Sequence, residues 1–158
     1  MIKGLYPFGL NHYRSLKFQK LRKLISKNQR KIKVEGAYGS SLSFLLIDIF
    51  SSINQQIFYI SNSKETASYV YSDIVELIGE INCSFLPSNY RSDAKKIKDE
   101  SNIINRSKTI RDILGKETKI IVTYPEAIFE KIPNEKEIDS KTINIKKGQF
   151  LKINSINE

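Results

Sequence analysis

Residues 31–43 read KIKVEGAYGSSLS, and the turn they encode decides how the rest of the chain is read. KIKVEG (31–36) is short, rich in β-branched residues and ends on a glycine, which predicts a strand running into a tight turn. From Ser41 to Ile53 the sequence SLSFLLIDIFSSI is apolar or small at nearly every position, which predicts a buried helix. Strand, glycine turn and buried helix are the setting of a phosphate loop, G-x-x-x-x-G-K-[ST]. There the backbone N–H groups wrap the phosphates, the lysine reaches the outer ones and the hydroxyl holds magnesium. Gly36 and Ser43 fit the first and last positions, and Ala37, Tyr38, Gly39 and Ser40 fill the variable ones. Ser41 replaces the second glycine and Leu42 replaces the lysine. Leu42 offers no cation to a transferring phosphoryl group, a reaction catalysed almost wholly by positioning and electrostatics. The Ser41 side chain also crowds the backbone approach. The loop is therefore degenerate, and no nucleotide hydrolysis is expected of it. A strand-to-helix turn also uses glycine for conformational reasons, so the spacing alone leaves its origin open.

Working outward, Leu16, Phe18, Leu21, Leu24 and Ile25 form an apolar stripe among Lys and Arg, predicting an amphipathic helix over 14–28. Residues 1–13, MIKGLYPFGLNHY, show no period and read as an irregular arm. After the buried helix, QIFYIS (56–61) predicts a strand. Ala67, Val70, Tyr71, Ile74 and Ile78 then share one face of a helix with Ser63 as its N-cap. NCSFLP (82–87) predicts a third strand, and the polar run SNYRSDAKKIKDES (88–101) a long surface loop. Ile103, Ser107, Ile110 and Leu114 mark a helix over 102–114 that stops before Gly115. KIIVTY (119–124) is the strongest strand signal, followed by a helical turn, PEAIFEKI, that Pro133 ends.

Strands alternating with helices predict an α/β fold: a parallel sheet flanked by helices, in the manner of a P-loop NTPase (RecA-like) lobe. That domain is expected over 14–132. Residues 133–158 break the rhythm and read as a linker and the start of a small β-rich domain.

The chain has 158 residues, 40% of them hydrophobic, enough for one domain with a real core. No apolar run is long enough for a membrane span, and no secretory signal is evident at the N-terminus. Cys83 is the single cysteine, which excludes an internal disulfide and fits a cytoplasmic location. The formal charge of +9 suits nucleic acid or an acidic partner, but it is spread along the chain and also fits a general bias toward Lys, Ile and Asn. The densest basic cluster holds Lys17, Lys20, Arg22 and Lys23, with Lys27, Arg30 and Lys31 beyond it. With Tyr6, Phe8, Tyr13 and Phe18 nearby it could contact nucleic acid, or be the solvated face of the first helix. His12 has no nucleophile motif beside it, Cys83 reads as a small buried residue, and Asp99 and Glu100 as solvated loop carboxylates. No strand ends in the Asp-Glu pair of an active motor, so no catalytic residue, metal or cofactor is assigned.

VEGAYGSSLSFLLIDIF, INRSKTIRDIL, KIIVTYPEAIFEKIP and TINIKKGQFL, in that order, resemble the N-terminal region of the bacterial transcription-repair coupling factor. That region is similar to the B component of the nucleotide-excision-repair excinuclease, whose first domain carries an intact phosphate loop, whereas the coupling factor's loop is typically degenerate. The resemblance covers about residues 10–152. It implies a non-hydrolysing module that helps bring nucleotide-excision-repair proteins to stalled RNA polymerase and restrains the parent's DNA translocase. It implies the damage-recognising A component of the excinuclease and the parent's other domains as partners. DNA, RNA polymerase, ATP and magnesium would be handled elsewhere in the parent, whose motor does not fit in this chain. Two other readings stay open: a working NTPase borrowing Lys17 or Lys33, and a free-standing nucleic-acid-binding domain.

Overall fold

The computed structural model describes residues 16–27, 31–53, 55–89, 100–115 and 117–132, together with Gly148. The expected arm at 1–13, most of the surface loop and the start of a small domain after 133 lie outside the described residues.

In chain order the elements are α1 (Leu16–Ser26), α2 (Ser40–Ile53), β1 (Ile57–Ile60), α3 (Lys64–Ile78), β2 (Cys83–Phe85), α4 (Glu100–Leu114), β3 (Ile120–Thr123) and α5 (Pro125–Phe129). A 3-10 turn, Glu80–Asn82, leads into β2. The strands form a parallel sheet in the order β1-β3-β2, with Ile57 and Cys83 both level with Ile120. β3 is central and wholly buried, which explains why IIVT reads as an unbroken apolar run. Its residues alternate between faces as a pleated strand requires. Ile120 and Val122 join a core with Leu46, Ile47 and Phe50 of α2 and Val70 and Ile74 of α3. Ile121 joins Leu86 and Ile110 on the α4 side. The result is an α/β sandwich with helices on both faces of the sheet.

The α3 helix forms where its stripe predicts. The Ser63 hydroxyl accepts the Thr66 N–H at 3.2 Å, and Gly79, at φ 81°, closes the other end by donating to the Val75 carbonyl. The buried face of α4 holds Ile110 and Leu114, as expected, but is rotated away from Ser107. Ser107 is exposed, and the inward residues are Arg106, Thr109 and Ile110, with Ile113 half-buried. Thr109 is drawn in because its hydroxyl donates to the Phe85 carbonyl at 2.7 Å.

The strand expected at 31–36 does not form. Residues 31–38 carry no helix or strand, and among the described residues the sheet ends at β1. A strand exists only as half of a pair. KIKVE has the composition of a strand but no described neighbour to bond.

Candidate functional site: the closed turn ahead of helix α2

The turn from Gly36 to Ser43 keeps the conformational demands of its glycines. Gly36 (φ 82°) and Gly39 (φ 53°) both sit in the left-handed region, where a side chain is strained. Helix α2 starts immediately after, at Ser40.

Tyr38, Gly39, Ser41 and Leu42 satisfy one another within the turn. The Tyr38 N–H donates to Ser41 Oγ at 2.8 Å, and the Ser41 hydroxyl donates back to the Tyr38 carbonyl at 2.6 Å. The Ser41 N–H also donates to the Tyr38 carbonyl at 3.2 Å, and the Leu42 N–H to the Gly39 carbonyl at 3.1 Å. These are amides that a phosphate loop would aim at its ligand. Here Ser41, standing where the second glycine would be, is exposed and folds its hydroxyl back onto the Tyr38 backbone. Tyr38 stands out at the tip, 82% exposed.

The two positions that would do the chemistry are committed to packing. Leu42, in the lysine position, is partly buried against the α2–α3 core. Ser43, in the magnesium position, is fully buried and donates its hydroxyl to Asp73 of α3 at 3.1 Å. Ala37 is half-buried beside the turn and Ser40 is exposed. Lys33, a candidate substitute lysine, is 84% exposed and pairs with Glu35 at 2.6 Å. Lys17, the other candidate, falls in α1. No group of His, Cys, Asp or Glu suited to a metal occurs among the described residues.

The basic cluster is divided by the fold. Lys20 and Lys23 point away from the core on α1, whereas Arg22 turns onto α2 and grips Asp48. Leu21 is buried beside it. Asp48 is the only charge in the 41–53 run, and a lone acid in an apolar helix needs a cation, a signal that the sequence does carry.

A second network, which the sequence does not reveal, lies at the carboxyl ends of β2 and β3, where open α/β sheets usually take ligands. Arg106 of α4, 3% exposed, donates from Nη1 to the carbonyls of Pro87 (2.8 Å) and Ala127 (2.9 Å). Its Nε lies 3.5 Å from the Glu130 carboxylate. Glu130 accepts the Ser88 hydroxyl and, at 3.0 Å, the Asn89 N–H, while the Ser88 N–H donates to Tyr124 Oη at 2.8 Å. Burial pushes the Arg106 guanidinium down, and Glu130 and Tyr124 oppose that shift. At the opposite sheet end, Asp112 of α4 takes hydrogen bonds from Ser84 (2.8 Å) and Lys119 (2.9 Å).

Cys83 is buried in β2, and desolvation pushes its thiol up to about 12. His12 and Asp99 lie outside the described residues, and Glu100 is exposed at the start of α4. Among the described residues no helix is long and apolar enough to cross a membrane.

No family model matches the chain. Among curated proteins, it is 25% identical over 152 residues to UvrABC system protein B of Mycoplasma mycoides subsp. mycoides SC. That alignment takes in 87% of this chain, and the chain spans only 22% of its relative's length. Over most of its length, then, the chain is similar to a UvrABC system B protein.

Proposed function

We propose that this chain is a DNA-repair module of the UvrABC system protein B type whose nucleotide loop has become a structural turn. One observation carries the reading: Ser41 and Tyr38 close the turn on itself, so the amides of Tyr38, Ser41 and Leu42 are spent within it. Leu42 in the core and Ser43 on Asp73 support it, because position 42 supplies no cation and the hydroxyl at position 43 is turned onto α3. The similarity to UvrABC system protein B supports the excision-repair setting.

Within that reading the module acts by contact rather than by turnover. As part of a transcription-repair coupling factor it would help recruit excision-repair proteins, the excinuclease A component first, to stalled RNA polymerase. It would also restrain the parent's DNA translocase, in which ATP and magnesium are used. Two experiments test the two halves. Steady-state ATP hydrolysis by this chain is expected at background, and turnover above that would end the non-catalytic reading. A longer piece that includes the complete module is expected to retain the excinuclease A component in a pull-down. Failure to retain it would end the recruitment reading and leave the closed turn as it stands.

A further inference from the structure

Residues 31–37 have the composition of a strand and, among the described residues, the bonding of none. No backbone N–H or C=O from Lys31 to Ala37 is hydrogen-bonded to another described residue. The same segment borders an open groove of about 490 Å³. Phe18, Leu21 and Leu24 line it from α1, and Ile32, Val34 and Ala37 line it from residues 31–37. Val34 stays 47% exposed in this setting. The charged residues at its border are Lys20, Lys33 and the Glu35 that Lys33 already holds. Lys27 and Lys31 are exposed in the flanking sequence.

These features restrict what can fill the groove. A run of unpaired backbone is best satisfied by another backbone laid alongside it, which is strand addition. An apolar lining calls for apolar side chains, and along an added strand these recur at every second residue. The alternate residues then face the lysine border, where carboxylates gain attraction and further lysines meet repulsion. We propose that the groove between α1 and residues 31–37 is a strand acceptor for an extended protein segment in which apolar and acidic residues alternate. This surface goes beyond the repair reading and does not depend on it.

The test is an amide NMR titration of the chain with a capped seven-residue peptide alternating isoleucine and glutamate. Saturable shifts centred on the amides of Ile32 to Gly36 are expected. A peptide with proline at its centre should lose the effect, because proline has no N–H to give the ladder. Reversing the border charge with Lys20→Glu and Lys33→Glu should weaken binding about tenfold or more, since opposite charges across an interface set partner choice. Neither lysine is buried, so the fold tolerates the change. The inference is overturned if no saturable shift appears at 32–36, or if an isoleucine–lysine peptide binds equally well. It is also overturned if those amides shift with protein concentration alone, which would mark a second copy as the occupant. A single-stranded oligonucleotide displacing the peptide from the same amides would likewise overturn it, in favour of nucleic acid.

Discussion

The Arg22 guanidinium holds the Asp48 carboxylate at both of its oxygens, with Nε 3.0 Å from Oδ2, and so fastens α1 onto α2. Asp48 is 1% exposed, and without Arg22 its charge would sit in an apolar helix–helix contact. The Arg22 side chain, by contrast, is 37% exposed and keeps some contact with water. Arg22→Met is therefore expected to cost about 2–3 kcal/mol, less than the ~3–5 kcal/mol of a fully buried pair. Lys20→Ala and Lys23→Ala should fall within about 0.5 kcal/mol of the parent chain. Urea denaturation of the three variants checks both statements.

Arg106 is expected to be the least replaceable polar residue of the described fold. Its removal strands the Pro87 and Ala127 carbonyls and leaves Glu130 without its cation. Arg106→Met should cost about 3–5 kcal/mol, and Arg106→Lys should recover only part of it, because an ammonium cannot reproduce the planar fork. Thermal unfolding of the two variants measures this, and equal midpoints for parent and Arg106→Met would contradict it.

The Asp112–Lys119 pair should make a pH-dependent contribution with two edges. Burial alone would raise the Asp112 carboxyl, but hydrogen bonds from Lys119 and Ser84 outweigh it and hold the group below its usual range. Burial alone would lower the Lys119 ammonium, but Glu117 and Asp112 outweigh it and hold the group above its usual range. An acid whose folded pKa is depressed adds stability above its unfolded value, and that gain fades as pH falls through the folded value. A lysine whose folded pKa is raised adds stability below its unfolded value, and loses it as pH rises through the folded one. The stability gap between the parent and Asp112→Asn should therefore be flat from about pH 5 to 9 and shrink below about pH 4. Denaturant midpoints across that range check it.

Cys83 should be inert in the folded chain. With the thiol buried in β2 and pushed up to about 12, thiolate is scarce at neutral pH. A thiol-reactive disulfide reagent is expected to label it at the rate of unfolding and at full speed in denaturant. Rapid stoichiometric labelling under native conditions would contradict the placement.

Periodic features of the sequence carry most of the sheet and its helices. β3 reads correctly because all four of its residues are buried, and α3 because stripe, N-cap and closing glycine agree. Misreadings occur where a tertiary partner decides. Spacing places Ser107 inward, yet Arg106 goes in, because three polar groups distant in sequence wait for it. KIKVE reads as a strand because its residues suit one, but pairing is a property of two segments, and only one is described. In the turn, the substitutions at 41 and 42 are visible from the pattern. The bonding of the Ser41 hydroxyl to the Tyr38 backbone and the diversion of Ser43 to Asp73 depend on the local turn and on a residue 30 positions later.

The closed turn is the central claim, and calorimetric titration of the chain with ATP and magnesium tests it most directly. The expected result is no saturable heat at any nucleotide concentration up to the millimolar range. A surviving phosphate site would instead bind in the micromolar range, about −8 kcal/mol, and that result would contradict the claim.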